Sequence, residues 1–335
     1  ALEKAQEVFE KIPVRNVVSW TALISGYTEH GLGHKAVKCY RQMQDEGIFP
    51  DVVTYICILK ACGIIGSLKL GEDIDARVRK EGLLQKDVVI GNALIDKYAK
   101  CGALDKARGI FNELPVDHIA AWNALITGYA KCGLGHEALK CFREMKDKKI
   151  CPNVVTYVSI LKACGMIGSL EIGEEIYGEV RKRGLLHENL KLGTALVDMY
   201  AKCGSLEKAR EVFGGLTSRD TASWTSLLAG YSHNGHHDEA IKCFKDMQCE
   251  GICPDSVTYL CILKACGNAG SLEIGERIGS DLRSQGLLEK NVALGNALLE
   301  MYAKCGALEK AQELFEWLPM RDALSWTSLI AGYTN

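Results

Sequence analysis

Residues 91–111, GNALIDKYAKCGALDKARGIF, form a stretch that returns twice along the 335-residue chain. It reads GTALVDMYAKCGSLEKAREVF from Gly193 and GNALLEMYAKCGALEKAQELF from Gly295, so the period is 102 residues. Its tail, ALEKAQEVF, also opens the chain. Each copy has the pattern of two short amphipathic helices around a Lys-Cys-Gly turn. Because such a unit cannot bury its apolar stripe alone, the stretch predicts an array of stacked repeats.

The 102-residue period divides into three unequal units of 35, 36 and 31 residues. Apolar residues recur in each unit at helical spacing, as Trp20, Leu23 and Tyr27 do in the first. We predict an all-α fold, a right-handed superhelical solenoid of helical hairpins with two helices per unit. The predicted units are residues 17–51, 52–87, 88–118, 119–153, 154–189, 190–220, 221–255, 256–291 and 292–322, between partial units at 1–16 and 323–335.

The charges of the chain nearly cancel. The 40 basic and 42 acidic residues leave a net charge of −2, which does not by itself indicate a nucleic-acid binder. No apolar run approaches the roughly 20 residues that a membrane-spanning helix needs, and we expect no membrane partner. The chain has no initiator methionine and begins and ends inside repeats, as expected of an excerpt from a longer protein.

The fifteen cysteines follow the repeat rather than a metal-binding pattern. Cys62, Cys164 and Cys266 are one position repeated, and no C-x-x-C occurs. We therefore predict small, buried or half-buried thiols in a reducing compartment, and neither disulfides nor a zinc site.

Motifs for catalysis, metals and cofactors are missing from the sequence. The glycine turns at 31–36 and 133–138 lack the Lys-Ser/Thr pair of a phosphate-binding loop. His236 and His237 are adjacent, which places them on different helix faces. The H-x-E and P-C-x-x-C signature of zinc deaminases is absent. We predict no enzymatic activity, no cofactor and no metal.

One polar position early in the first helix of each unit is restricted to two residue types. Across seven units of the first and third types it holds only threonine or asparagine: Thr21, Asn92, Asn123, Thr194, Thr225, Asn296 and Thr327. In the second-type units it is apolar, as Ile56, Val158 and Leu260. A solvated face would not be so selective. We therefore expect rows at i, i+4 and i+8 to line one recognition surface.

The chain resembles the pentatricopeptide repeat (PPR) family, and in particular its PLS subclass. The resemblance rests on the 35-36-31 cycle, the VVSW and VVTY unit starts, GNALIDKYAKCG and the GIFPD ending. It implies single-stranded RNA binding at one base per repeat, and a role as specificity module in C-to-U editing in chloroplasts or mitochondria. It also implies multiple organellar RNA editing factor (MORF/RIP) proteins as partners, and we expect them at the second-type units. The high similarity between copies also leaves room for a consensus-engineered array.

In this family the fifth and the last residue of a repeat select the base. A terminal aspartate only accepts hydrogen bonds and suits G or U, whereas a terminal asparagine also donates and suits A or C. The pairs Thr21/Asp51, Thr194/Asp220 and Thr225/Asp255 imply G. Asn123/Asn153 implies C with U tolerated, Asn296/Asp322 implies U, and Asn92/His118 implies a weakly specified pyrimidine. With the second-type units indifferent, the string is 5′-G-n-Y-C-n-G-G-n-U-3′, and Thr327 favours a purine next.

Two further sets of residues are implied by the resemblance. The base-sandwiching residues at the second position are Val18, Val53, Val89, Ala120, Val155, Ala222, Val257, Ala293 and Leu324. Lys191 breaks this series, and a lysine at that place can meet a phosphate instead. The expected phosphate contacts are the four lysines Lys100, Lys131, Lys202 and Lys304. Core packing for the first set and plain solvation for the lysines are the alternatives. With so few contacts, we expect modest affinity and a shallow salt dependence.

Two other functions remain open from the sequence. A protein-binding scaffold of the tetratricopeptide type would also stack helical hairpins, but it does not account for the unequal unit lengths or the restricted Thr/Asn position. An editing enzyme would need a catalytic domain outside this chain or a recruited partner.

Overall fold

The computed structural model describes residues 2–114 and 118–334, with the backbone alone at residues 187 and 188. All regular secondary structure in these residues is helical. The chain forms two compact bodies, which we call the N-terminal half (Ala1–Ala163) and the C-terminal half (Cys164–Asn335).

In its described residues, the N-terminal half contains ten complete helices and the start of an eleventh. They are α1 (Leu2–Glu10), α2 (Val17–Glu29), α3 (Gly33–Asp45), α4 (Val52–Ile65), α5 (Leu68–Lys80), α6 (Leu83–Lys86), α7 (Val88–Lys100), α8 (Leu104–Glu113), α9 (Ile119–Lys131), α10 (Gly135–Asp147) and α11 (Val154–Ile167).

The remaining helices lie in the C-terminal half. They are α12 (Leu170–Lys182), α13 (Leu185–Glu188), α14 (Leu190–Lys202), α15 (Leu206–Gly214), α16 (Thr221–His233), α17 (His237–Cys249), α18 (Ser256–Ala269), α19 (Leu272–Ser284), α20 (Leu287–Lys290), α21 (Val292–Lys304), α22 (Leu308–Trp317) and α23 (Ala323–Thr334).

Within each half the helices pack as consecutive hairpins. In the N-terminal half, α2 packs on its partner α3 and on α4, the first helix of the next hairpin, and α7 packs in the same way on α8 and α9. In the C-terminal half, α14 packs on α15 and α16, and α18 packs on α21. The predicted all-α array of stacked helical hairpins is confirmed.

The apolar stripes read from the sequence form the core. Trp20, Leu23 and Tyr27 are buried on α2. Where a third-type unit meets a first-type unit, a phenylalanine packs edge-on against a tryptophan, with ring centroids 4.5 Å apart for Phe9 and Trp20. The same T-shaped arrangement recurs at the other three junctions, between Phe111 and Trp122, Phe213 and Trp224, and Phe315 and Trp326. Such aromatic pairs stabilise packing beyond the area they bury.

The prediction of two helices per unit is wrong for the second-type units. Each has a third helix of four residues, α6, α13 or α20. Gly82 before α6 has φ 64°, a left-handed conformation that ends the preceding helix and redirects the chain. The glycine is repeated before α13 and α20. The signal was present in the sequence as the repeated Gly-Leu-Leu.

The cysteines agree only in part with the prediction. All fifteen are free thiols, and most are buried or half-buried. Burial raises the pKa of Cys62 to about 11, so this thiol is neutral at pH 7. Cys132, Cys151, Cys249 and Cys253, however, are exposed and contradict the expectation of uniform burial. They lie at helix ends and turns, where no neighbouring helix covers them.

Neither a membrane-spanning helix nor a cluster of metal ligands is found among the described residues. Among residues 2–114 and 118–334, no helix is long and apolar enough to cross a membrane. Over the same ranges, no group of three or more histidine, cysteine or acidic side chains is placed to hold a metal ion.

Candidate nucleic-acid interface

The second residue of each first helix is exposed. Val18 retains 69% of its accessible surface and Val53 retains 55%. The other predicted base-sandwiching residues are also exposed: Val89, Ala120, Val155, Ala222, Val257, Ala293 and Leu324. Lys191, which interrupts the series, is exposed as well. These side chains therefore do not pack in the core, which was the alternative. The apolar ones are available to a ligand.

The last residue of a unit caps the first helix of the next. Asp51 precedes α4 and accepts a hydrogen bond from the backbone N–H of Thr54 at 2.8 Å. Asp255 makes the same 2.8 Å bond with Thr258 before α18. An aspartate at this place satisfies an unpaired helix N–H and interacts favourably with the positive end of the helix dipole. The predicted recognition carboxylates are thus held rigidly.

A buried threonine joins the fifth residue to the last one. The hydroxyl of Thr54 lies 2.6 Å from that of Thr21 and donates to Asp51 Oδ1 at 2.7 Å. The arrangement recurs in the C-terminal half, where the Thr258 hydroxyl lies 2.6 Å from that of Thr225 and 2.8 Å from Asp255 Oδ1. Both bridging threonines are completely buried.

Where the fifth residue is asparagine, the same bridge takes another form. Asn123 Nδ2 donates to Asn153 Oδ1 at 3.1 Å, and the Thr156 hydroxyl donates to Asn123 Oδ1 at 2.6 Å.

The third-type unit at residues 292–322 repeats this second form. Asn296 Nδ2 donates to Asp322 Oδ1 at 3.0 Å, and the Ser325 hydroxyl donates to Asn296 Oδ1 at 2.6 Å. The bridge is therefore found after first-type and third-type units alike.

Two predicted pairs lack the bridge. Asn92 has Ala121 in the bridging position, and its Oδ1 is buried without a hydrogen-bond partner. Thr194 Oγ1 is also buried without a partner, because the hydroxyl of Ser223 donates to the main-chain oxygen of Asp220 at 2.9 Å. His118, the last residue of the first of these units, makes no side-chain cap on α9.

The fifth position is less open than the expected polar row. Thr21 keeps only 9% of its surface, Thr225 keeps 8% and Asn296 keeps 4%. The next first helix packs alongside and covers most of each side chain. Thr327 is exposed at the end of the chain, where no further hairpin covers it.

An open cleft is present at the last complete pair. It has a volume of about 670 Å³ and is lined by Ala293, Asn296, Lys304, Asp322 and Leu324 together with residues of α18. Two predicted sandwich residues, a predicted base-selecting pair and a predicted phosphate contact therefore share one cavity.

Hydrogen bonding favours the ionised form of the carboxylate in this cleft. The backbone N–H of Ser325 and the side chain of Asn296 lower the pKa of Asp322, because both donate to the ionised form. Asp322 is thus an ionised, accept-only group at neutral pH.

Three of the four predicted phosphate lysines already have an acidic partner one helical turn earlier. Lys100 pairs with Asp96 at 2.6 Å, Lys202 with Asp198 at 2.7 Å, and Lys304 with Glu300 at 2.7 Å. Lys131 has Thr127 at the corresponding place. All four lysines are exposed.

The bridging hydroxyls were missed by the sequence analysis. The third residue of a unit is Thr54, Thr156, Thr258, Ser223 or Ser325 after units with a polar fifth residue, and it is Ile90, Leu192 or Leu294 after units with an apolar one. This alternation was the available signal, with Ala121 as the exception.

The chain belongs to the pentatricopeptide repeat family. The family described as "PPR repeat family" matches residues 15–63, 117–166 and 219–268. The one described as "PPR repeat" matches residues 92–119, 155–185, 194–220 and 296–316. Together these ranges cover well over half of the chain.

Full-length similarity extends to plant proteins of this family. A chloroplastic pentatricopeptide repeat-containing protein of Arabidopsis thaliana is 37% identical over 334 residues, which is 100% of this chain and 54% of the relative. A mitochondrial one from the same organism is 34% identical over 363 residues, covering 99% of this chain and 53% of the relative. The chain spans about half the length of the curated relatives it matches.

The fold is also that of a solved member of the family. The crystal structure of pentatricopeptide repeat protein PPR10 in complex with an 18-nt psaJ RNA element superposes with a TM-score of 0.80 at 21% identity, covering 99% of this chain and 50% of PPR10. At this identity the likeness concerns the fold alone.

Proposed function

We propose that this chain binds single-stranded RNA, one base per repeat, with the preference 5′-G-n-Y-C-n-G-G-n-U-3′. The observation that carries the proposal is the recurrence of one constellation of three side chains. It consists of an exposed apolar residue, a partly covered Thr or Asn, and a helix-capping Asp or Asn, the last two joined by hydrogen bonds directly or through the bridging hydroxyl. PPR10, with which the chain shares its fold, was crystallised with an RNA element.

The chemistry of the constellation suits a nucleobase that is unstacked and presented on edge. Exposed side chains such as Val18 and Val53 offer apolar surface to the two faces of a base. The capped carboxylate of Asp51 accepts from a ring N–H, which G and U carry and A and C do not. The second-type units offer Ile56, Val158 and Leu260 instead, so we expect them to tolerate any base.

We further propose that the chain is of the PLS subclass and serves as a specificity module for C-to-U editing in chloroplasts or mitochondria. The 35-36-31 cycle and the chloroplastic and mitochondrial names of relatives support this role. No catalytic step is assigned to this chain. MORF/RIP proteins are the proposed partners, at the apolar second-type units.

The base assignment is tested by exchanging one pair. In Asn123→Thr/Asn153→Asp the fourth nucleotide of the string should change its preference from C to G, because the pair becomes that of Thr21 and Asp51. We expect a change of about tenfold or more, since a good base contact discriminates by roughly 1–3 kcal/mol. Equilibrium binding to RNAs that differ only at that nucleotide measures it.

The matched control is the same RNA series varied at the first nucleotide, where the preference for G should stay unchanged. A fourth-nucleotide preference that stays with C contradicts the assignment of the pair. Absence of binding to any of the RNAs, by the chain alone or with a partner, contradicts RNA binding and favours a protein-binding scaffold.

A further inference from the structure

We propose that the buried hydroxyl at the third position of the following repeat is a positioning residue for base recognition, and that it sets whether the fifth residue accepts or donates a hydrogen bond. These hydroxyls belong to Thr54, Thr156, Thr258 and Ser325. The inference rests on the proposed RNA binding and deepens it.

The bridging residues act through their neighbours and not on RNA. Thr54, Thr156, Thr258 and Ser325 are all completely buried. Each makes a short hydrogen bond of 2.6 Å to the fifth residue of the preceding repeat. A ligand in the cleft therefore meets the fifth and last residues, while the hydroxyl behind them determines how they are oriented.

Where the fifth residue is threonine, counting protons fixes the direction of each bond. Thr54 has one hydroxyl proton, which it donates to Asp51 Oδ1, and its oxygen accepts from the Asp51 backbone N–H at 3.3 Å. Thr54 can then only accept from Thr21, so the Thr21 hydroxyl donates inward. What Thr21 has left for a base is lone pairs. An acceptor beside the accepting carboxylate of Asp51 matches the adjacent N–H and NH₂ donors of guanine.

Where the fifth residue is asparagine, the same hydroxyl produces the opposite polarity. The single hydroxyl proton of Thr156 goes to Asn123 Oδ1 at 2.6 Å, because its other acceptor, Asn153 Oδ1, is farther away at 3.1 Å. One Nδ2 proton of Asn123 is donated to Asn153 Oδ1. The remaining Nδ2 proton is what the residue has left for a base, so Asn123 presents a donor. Asn296 is held in the same way by Ser325 and Asp322. A donor at this place matches the ring carbonyl oxygens of pyrimidines.

The two pairs without the bridge are internal controls. Nothing fixes the amide of Asn92, because Ala121 has no hydroxyl and Asn92 Oδ1 is unpartnered. Thr194 is similarly released, because Ser223 directs its hydroxyl to the main chain of Asp220. The third and sixth nucleotides should therefore be read less sharply than the first and fourth, although the side chains at the fifth position are of the same types.

The loss-of-function test uses Thr54→Val, with Thr54→Ser as the conservative control. We expect Thr54→Val to lower the preference for G over A at the first nucleotide by about tenfold, with the preference at the seventh nucleotide, read by Thr225, unchanged. Thr54→Ser keeps the hydroxyl and should keep the preference. An unchanged preference in a folded Thr54→Val chain overturns the proposal.

The gain-of-function test adds the missing hydroxyl and does not depend on the fold of Thr54→Val. Ala121→Ser places a donor next to the unpartnered Asn92 Oδ1, so the pyrimidine preference at the third nucleotide should rise several-fold. No rise in a variant that binds the RNA overturns the proposal. Failure of the unmodified chain to bind RNA overturns the proposed function instead, and the two failures are therefore distinguishable.

Discussion

Lys97 distinguishes the 91–111 stretch from its two sister copies. The corresponding residues are Met199 and Met301. Lys97 is completely buried, donates to the Leu68 carbonyl at 3.1 Å, and lies 3.7 Å from the ring centre of Tyr98. Burial lowers the pKa of its ammonium group, because the charged form loses its hydration. The lysine therefore costs stability that the methionines do not.

Lys97→Met should stabilise the chain at pH 7. We expect a gain of about 1–4 kcal/mol, the range found when buried charged groups are replaced by well-packed apolar ones. The folded chain binds fewer protons than the unfolded one between the lowered pKa of Lys97 and its usual 10.5, so wild-type stability rises with pH in that window. The advantage of the variant should shrink there.

Urea unfolding at several pH values measures this difference. Met199→Leu, a near-isosteric change at the sister position, is the control and should show no such pH dependence. A Lys97→Met chain that is less stable than wild type at pH 7 would show that the bonds to Leu68 and Tyr98 outweigh the burial of the charge.

Cys101, the most conspicuous residue of the same stretch, is part of the packing. Its Sγ lies 3.9 Å from the Cys62 main-chain oxygen, and the same contact recurs from Cys203 to Cys164 and from Cys305 to Cys266. Burial raises the pKa of the Cys101 thiol, which keeps it protonated and unreactive at pH 7. The residue of this copy that we propose to read a base is Asn92.

At the scale of elements, helix ends decide how the units connect. The left-handed glycine before each four-residue helix lets a second-type unit insert one extra turn without lengthening its main helices. A repeated ion pair also joins the second helices of neighbouring hairpins. In the N-terminal half it forms between Lys106 on α8 and Glu72 on α5. Because both groups are largely exposed, the pair contributes little to stability.

Gly82→Ala should destabilise the N-terminal half by about 1–2 kcal/mol, because at φ 64° the new Cβ lies against its own backbone. The surrounding space is open, so no other contact causes the loss. Gly109→Ala is the matched control. Gly109 lies inside α8 with open space at its Cβ position, so alanine there should stabilise by up to about 1 kcal/mol. Opposite shifts of the thermal midpoint are expected, and equal shifts would contradict the role of Gly82.

At the scale of the whole chain, electrostatics limit the proposed RNA affinity. The net charge is −2, and three of the four phosphate lysines are paired with acidic residues on the same helix. A phosphate must compete with these partners. Lys131 has no acidic residue one turn before it, so we expect it to contribute more than the other three.

Lys131→Ala should reduce the slope of log affinity against log salt by about 0.7, the change expected for one lost contact to single-stranded nucleic acid. Lys100→Ala is the control and should change the slope by less, because Asp96 already neutralises Lys100 at 2.6 Å. Binding titrations in increasing potassium chloride measure both slopes. A larger effect of Lys100→Ala than of Lys131→Ala would contradict this assignment.

The sequence by itself determined the two main helices of each repeat, their order and the period of 102 residues. These follow from local spacing, since apolar residues such as Trp20, Leu23 and Tyr27 recur on one helical face wherever the unit recurs. The candidate base-selecting positions also emerged from the sequence, because the period aligns Thr21 with its equivalents and exposes their restriction to Thr or Asn.

Only the tertiary structure decided how those positions are held. The hydrogen bond between Thr21 and Thr54 joins residues 33 positions apart on neighbouring hairpins, and it forms only when the two first helices pack side by side. The burial of the fifth residues and the unpartnered Asn92 Oδ1 have the same origin. Helical periodicity depends on neighbours within a turn, whereas the direction of a hydrogen bond depends on which groups packing brings together.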